Sequence, residues 1–252
     1  MDRFFDLLFS GLALLLLSPL LVPVVIALRL TGEGEIFFSQ DRVGKGGEKF
    51  KLLKFATMLK DSPSIGTGTV TMRDDPRILP VGAILRKTKI NELPQLFNIF
   101  LGDMSVIGPR PLTPQTFGAY SESIQGLITR VRPGLSGIGS IIFRGEEEIM
   151  HGAKASIDFY ENVIAPYKGA LEKWFVSNKS LYIYFLAIFV TSWTVLIPTN
   201  TSGSLPVEIL YVWLLPLFQS SIWHTFKIFF AHSIAGANRT LYLARHSVIL
   251  PL

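Results

Sequence analysis

The sequence predicts an α/β domain, mostly α: a small membrane-associated globular unit with a re-entrant membrane helix at its N-terminus and membrane-surface or spanning helices at its C-terminus. Three observations carry this. An uncharged stretch runs from Asp6 to Arg29, two short apolar runs flank a Gly-rich turn near residues 44–47, and apolar residues recur at helical spacing from Leu93 to Phe100. The divisions expected are 1–30 for the membrane helix, 31–180 for the globular part, and 181–252 for an apolar C-terminal region.

Bulk composition agrees. Of 252 residues 49% are hydrophobic and only 17% charged, with mean hydropathy +0.40, too apolar for an ordinary soluble domain of this length. The net charge of +5 suits anionic headgroups or phosphorylated substrates, and by itself suits nucleic acid equally. The cations, however, sit at turns and helix starts rather than along a stripe interleaved with aromatics, so nucleic acid is not expected as a partner. Cysteine is absent, which excludes disulfides, thiolate catalysis and Cys-based metal sites, and the four histidines lack ligand spacing.

The stretch between Asp6 and Arg29 is long enough, at about 1.5 Å per residue, to cross a hydrocarbon core of roughly 30 Å. Pro19 removes a backbone N–H, and the Ser18 hydroxyl can bond a carbonyl one turn back, so the Ser18–Pro19 pair predicts a bend at mid-depth. Arg3 before the stretch and Arg29 after it favour both ends on the cytoplasmic side, hence a re-entrant course; a kinked span is the alternative. A cleaved signal peptide is rejected for want of a small-residue cleavage site.

The globular part opens with a predicted β-hairpin, IFFSQ and FKLLKF around GKGG, in which the glycines serve a tight turn and hold no phosphate. DSPSIGTGTVTMRDDPRILPVG reads as a loop, VGAILRKTKI as a short helix. In INELPQLFNIFLGDMSVIGPRPL, Leu93, Leu96, Phe97 and Phe100 are expected to pack inward, leaving Asn91, Gln95 and Asn98 on a polar stripe, with Asn91 as N-cap and Pro94 in the first turn. Such a helix start is a natural seat for an anion. Arg110 stands between two prolines, a stiff segment presenting a guanidinium whose fork matches phosphate. RVRPGLSGIGSIIF predicts a Pro-Gly turn and then a short strand.

These residues resemble the bacterial sugar transferase family, the monotopic phosphoglycosyl transferases that act on polyprenyl phosphate. Four blocks carry the resemblance in order: RFFDLLFSGLALLLLSPL, FSQDRVGKGGEKFKLLKFATM, DDPRILPVGAILRKTKINELPQLFNIFLGDMSVIGPRPL, and RVRPGLSGIGSI. A looser similarity continues to about residue 197. The resemblance implies transfer of a sugar-1-phosphate from a UDP-sugar to undecaprenyl phosphate with release of UMP, an early membrane step of surface polysaccharide assembly. It implies Mg²⁺, and an active site on the cytoplasmic face of the bacterial inner membrane. In the family an Asp at the helix start attacks the β-phosphate and forms a phosphosugar adduct, which the carrier phosphate then resolves.

At that position this chain has Asn91, followed by Glu92. A carboxamide is a poor nucleophile and a weak Mg²⁺ ligand. Asn91 is therefore a substitution that traps substrate, a variant in which Glu92 or direct transfer does the chemistry, or the mark of a scaffold that binds without turnover. A second departure is Ala56, where the family usually has Arg. The candidate residues are Asn91 and Glu92 for catalysis, Lys54, Arg77, Arg86 and Arg110 for phosphate, and Glu92, Asn91 and Asp103 for the metal. Arg42 and Arg132 are expected to clamp the fold through carboxylate partners.

At the C-terminus, residues 181–198 form an uncharged run and 205–231 a second apolar region, with Trp193, Trp213 and Trp223 suited to the headgroup zone. Surface helices are expected first, a pair of spans second. The sequence does not name the sugar, and a homodimer is compatible with it.

Overall fold

The computed structural model describes residues 2–64, 75–143 and 165–196. The chain divides into two compact units, Met1–Gly118 with Gly126–Leu135, and Ala119–Gln125 with Ser136–Leu252. The architecture is mostly helical with two small sheets, as expected. The second apolar region at 205–231, with Trp213 and Trp223, lies outside the described residues, as does part of the loop at 65–74.

Helix α1, Asp2–Leu30, has 29 residues and is the one described helix long and apolar enough to cross a membrane. The helical run continues through Pro19 and Pro23, and Ser18 Oγ donates to Leu15 O at 2.7 Å, the back-bond its hydroxyl predicts. Along its length of about 43 Å, α1 is seated on the first unit at both ends. Asp6, buried, accepts from Ser105 Oγ and from the Val106 N–H, each at 2.9 Å. Leu28 packs with Phe55 and Leu85. Between them Ala13, Leu14 and Leu17 lie on a core of Leu52, Leu96, Ile99 and Met104. Each such side chain, fully buried, contributes about 1.5–3 kcal/mol. The opposite side of α1, with Leu12, Leu15, Leu16 and Val22, is exposed.

The hairpin forms as expected, with β1 at Phe37–Val43 and β2 at Lys49–Phe55 antiparallel and Phe38 opposite Lys54. Both strands are somewhat longer than the apolar runs that announced them, and a 3₁₀ turn, Lys45–Gly47, joins them. Helix α2, Pro80–Lys87, starts on a proline at its first position. It lies so close to the hairpin's exit that a Cβ on Gly82 would stand 2.1 Å from Thr57 O.

Helix α3, Gln95–Leu101, departs from expectation. Leu96 and Ile99 pack inward, but so do Gln95 and Asn98, at 4% and 2% exposure, while Phe97 and Phe100 are 43% and 46% exposed. The polar stripe is the buried one and the two phenylalanines face out. Asn98 explains the inversion: its Oδ1 accepts from Leu53 N at 2.9 Å and its Nδ2 donates to Lys51 O at 2.8 Å, a side chain standing in for a neighbouring strand. Gly102, at φ 105°, ends the helix, and Arg3 of α1 donates to the freed carbonyls of Ile99 and Phe100.

Strand β3, Ser105–Ile107, pairs with β4, Gly134–Ser136. Helices α4, Pro114–Gly118, and α5, Glu122–Ile128, lie between them in sequence. Gly108 is required where these strands meet, because a Cβ there would lie 2.5 Å from Arg132 O. A short strand, β4, does follow Pro133, but the apolar IGSII beyond it is helix α6, Ile138–Ile142, not a continuation of the strand. A short apolar run fits either state; Ile138 and Ile141, three residues apart, are buried, as is Phe143 at the C-cap.

In the second unit, α7, Ala165–Ser177, and α8, Leu181–Leu196, pack on α6. Helix α8 buries Ile183, Tyr184, Ala187 and Val190 and exposes Tyr182, Phe185, Phe189 and Trp193 on the other side. Its Thr191 hydroxyl lies 2.8 Å from that of Ser136.

Candidate active site in the first unit

Asn91 and Glu92 belong to a 3₁₀ turn, Ile90–Glu92, wedged between α2 and α3. Asn91 does not cap a helix: α3 begins four residues later, at Gln95, and Pro94 stands at its N-cap. Chain direction is set instead by Lys89, whose left-handed backbone (φ 60°, ψ 9°) is unusual for a residue with a side chain and turns the chain sharply out of α2. The consequence is that Asn91 points inward at 7% exposure, and its Oδ1 is buried without a hydrogen-bond partner. A buried carbonyl oxygen left in this state is costly, and such groups recur at ligand sites.

Glu92 faces Lys54 of β2, Oε1 to Nζ at 3.1 Å. Burial pushes the Glu92 carboxyl up, but the Lys54 ammonium, with Arg110 and Lys89, outweighs it and holds the group below the ordinary glutamate value. Lys54 is itself pushed down, first by burial and then by Arg110 and Arg42, against the pull of Glu92. Both partners therefore shift toward the deprotonated form, Lys54 chiefly because it is withdrawn from water and Glu92 because cations surround it. Arg42 completes the group. Burial and the neighbouring Arg110 lower it to about 10, against the pull of Glu92.

The sequence-derived candidates thus separate. Asn91, Glu92, Lys54 and Arg110 form one cluster, with Arg110 exposed at its rim. Arg86 is next to it in the chain fold, 3.4 Å from Thr57 Oγ1. Arg77 belongs to a different arrangement: buried, it donates through Nε and Nη2 to Asp75 at 2.8 and 2.6 Å and through Nη1 to Ser62 O. Asp103 accepts from Asn98 Nδ2 at 3.1 Å beyond the far end of α3, about 10 Å of helix from Glu92. Arg42 and Arg132 do not clamp through carboxylates. Arg42 donates to Pro111 O and Gln40 Oε1, and Arg132 to Gly102 O, because neutral carbonyl oxygens, two of the backbone and one of a side-chain amide, supply the acceptors. Arg42 is the member that sequence reading placed elsewhere; the signal available was its position four residues past Phe38, the strand partner of Lys54.

Next to this cluster lies an apolar groove of about 310 Å³, walled by α1 and the hairpin and by Pro94 and Phe97. Leu14, Ser18, Leu21 and Val25 supply the α1 side, Phe37 and Phe55 the hairpin side. One short segment, residues 91–97, thereby carries a charged cluster at its start and an apolar wall at its end.

The model of the family described as bacterial sugar transferase matches residues 1–198. The chain belongs to the bacterial sugar transferase family. An exopolysaccharide production protein, ExoY of Rhizobium meliloti (strain 1021), is 32% identical over 203 residues, covering 75% of this transferase and 82% of ExoY. The undecaprenyl-phosphate glucose phosphotransferase of Komagataeibacter xylinus is 40% identical over 144 residues, 55% of this chain and 27% of its own. The UDP-glucose:undecaprenyl-phosphate glucose-1-phosphate transferase of Escherichia coli (strain K12) is 33% identical over 187 residues, 73% of this chain and 38% of its own. This bacterial sugar transferase therefore spans most of ExoY and well under half of the two larger proteins.

Among the described residues no group of three or more acidic or histidine side chains could hold a metal ion alone. The donors present are the Glu92 carboxylate and the unpartnered Asn91 Oδ1, both oxygens. That set fits Mg²⁺ arriving with a diphosphate, since Mg²⁺ is commonly held by one or two protein oxygens together with substrate phosphates.

Proposed function

We propose that this transferase moves a sugar-1-phosphate from a UDP-sugar to undecaprenyl phosphate, releasing UMP, at the cytoplasmic face of the inner membrane, as the first membrane step in building a surface polysaccharide. The observation that carries the reading is the juxtaposition of the Lys54–Glu92 cluster with the apolar groove at Pro94 and Phe97. A lipid phosphate needs such a pair of neighbours: cations for its head, an apolar channel for its isoprenoid. The names of the K. xylinus and E. coli relatives support undecaprenyl phosphate as acceptor, and the E. coli name supports a UDP-sugar as donor.

Lys54 and Arg110 draw the donor's phosphates in and offset charge as it moves toward the leaving UMP. Glu92 and Asn91 Oδ1 are the residues that would hold a Mg²⁺ ion, which would supply charge neutralisation to the diphosphate. With Asn91 an amide and Glu92 engaged, the acceptor phosphate itself attacks the β-phosphorus. An oxygen–phosphorus bond forms to the lipid phosphate as the bridging bond to UMP breaks, and UMP departs with the bridging oxygen. Seating α1 along the protein at both ends supports a course that lies in one leaflet and returns.

UMP release by the purified protein, from a panel of UDP-sugars with and without undecaprenyl phosphate and Mg²⁺, tests this. Release that requires carrier and metal together supports direct transfer. A burst of UMP without carrier assigns the attack to Glu92 instead. A second reading, binding without turnover, is favoured by one observation, the amide at Asn91. Silence across the panel, ended by Asn91→Asp, would replace the transferase reading with that one.

A further inference from the structure

Arg42 is the least explained charge in the first unit. It stands on β1 with its Nε buried and without a hydrogen-bond partner, and it makes no ion pair among the described residues. Its other two nitrogens are taken by neutral oxygens: Nη1 by Pro111 O at 3.0 Å, Nη2 by Gln40 Oε1 at 2.7 Å. Guanidinium groups are withdrawn from water at considerable cost, normally recovered through a carboxylate. Here it is recovered only in part, by two neutral acceptors and the attraction of Glu92 without an ion pair. Pro111 is bonded to the very segment that presents Arg110, and Arg42 shares its electrostatic surroundings with Arg110, Lys54 and Glu92.

We propose that Arg42 is a positioning residue for the anionic donor, holding the Pro109–Arg110–Pro111 segment by its backbone while contributing a half-buried positive charge that Glu92 offsets only in part and the bound diphosphate compensates. The proposal rests on the nucleotide-sugar reading for the identity of the anion. It goes beyond it in assigning charge discrimination to a side chain set behind the phosphate-facing ones. Two consequences follow from electrostatics. The benefit of Arg42 grows with the charge on the ligand, because the interaction energy scales with that charge. The unliganded protein, in contrast, gains from the charge only the attraction of Glu92. Since burial lowers Arg42 to about 10, below its unfolded value, the charged form opposes folding at neutral pH, and that opposition is relieved only as pH rises through the lowered value.

The test is a ladder of ligands, uridine, UMP, UDP and inorganic pyrophosphate, titrated calorimetrically into wild type, Arg42→Gln and Arg42→Lys, each first checked by its melting transition. For Arg42→Gln we expect uridine affinity within about twofold of wild type, UMP weakened about threefold, and UDP and pyrophosphate weakened about tenfold or more. Arg42→Lys, which keeps the charge and loses the fork, should retain most of the spacing between UMP and UDP. Equal weakening of every ligand by Arg42→Gln, or loss of the UMP–UDP spacing in Arg42→Lys alone, would make Arg42 a clamp of the fold and overturn the proposal. If wild type ignores the nucleotides but binds pyrophosphate, the UDP-sugar reading falls while the pyrophosphate comparison still decides Arg42. Wild type that binds neither would overturn both.

Discussion

Lys54 Nζ lies 3.1 Å from Glu92 Oε1, joining strand β2 to the turn that carries Asn91. Glu92 is lowered from its ordinary value of 4.5 in the folded protein, so its contribution to stability is complete above about pH 4.5 and is lost as pH falls through the lower folded value. The melting temperature of wild type minus that of Glu92→Gln should accordingly be flat from neutral pH to about 4.5 and shrink below it. A difference that instead grows as pH falls from 7 to 5 would mean the carboxyl is raised, not lowered.

Asn98 is expected to be the costliest polar residue of the first unit to truncate. Asn98→Ala strands Leu53 N–H and Lys51 O, the two groups its carboxamide satisfies, and adds a small cavity. At about 1–3 kcal/mol per buried group left unpaired, the loss should reach roughly 2–4 kcal/mol. Chemical denaturation in detergent would measure it, and a loss under about 1 kcal/mol would show that water replaces the amide.

Gly82→Ala should damage the same unit by a different route. The new methyl would meet backbone, Thr57 O at 2.1 Å, which cannot rotate away, so α2 must shift off the hairpin. Overpacking of this kind costs about 1–3 kcal/mol or more. Arg86 rides on α2, and a matching fall in nucleotide affinity is expected alongside the lower melting temperature.

The exposed phenylalanines of α3, which border α1 at the groove and at Gly11, offer a second test of membrane contact. Phe97→Ser with Phe100→Ser removes two exposed aromatic side chains without touching Gln95 or Asn98. If that face meets lipid, flotation with anionic vesicles should weaken about tenfold or more, since each phenyl group is worth about 1–2 kcal/mol when half immersed. Unchanged flotation would confine lipid contact to other elements.

How much of this was legible in the sequence depends on what each pattern encodes. The hairpin could be read because alternation and a glycine turn are local; Lys54 and Arg110 stood out because their types suit phosphate and Glu92 because a carboxylate suits a metal, and the fold brings the three together. The inward side of α3 could not. Periodicity separates a polar stripe from an apolar one but assigns neither to the interior when the surroundings are lipid rather than water, and Asn98 faces inward because of strand groups 45 and 47 residues away. Arg77 matched the chemistry of a phosphate ligand as well as Arg110 does; only its donors on Asp75, two residues earlier, set it apart. Arg42 was read as a clamp with a carboxylate partner because a buried arginine usually has one.

The seating of Asp6 on Ser105 and Val106 also fixes an order of events during synthesis. The partners are separated by 99 and 100 residues. At about 5–20 residues per second, the first helix leaves the ribosome roughly 5–20 s before its seat exists. For that interval it is an apolar segment whose Asp6 still awaits Ser105 and Val106 and whose Arg3 awaits the carbonyls of Ile99 and Phe100. Its final depth and direction are therefore settled by folding of the later chain, so that a truncation after residue 90 should leave a helix free to take a different course from the one it has in the finished protein.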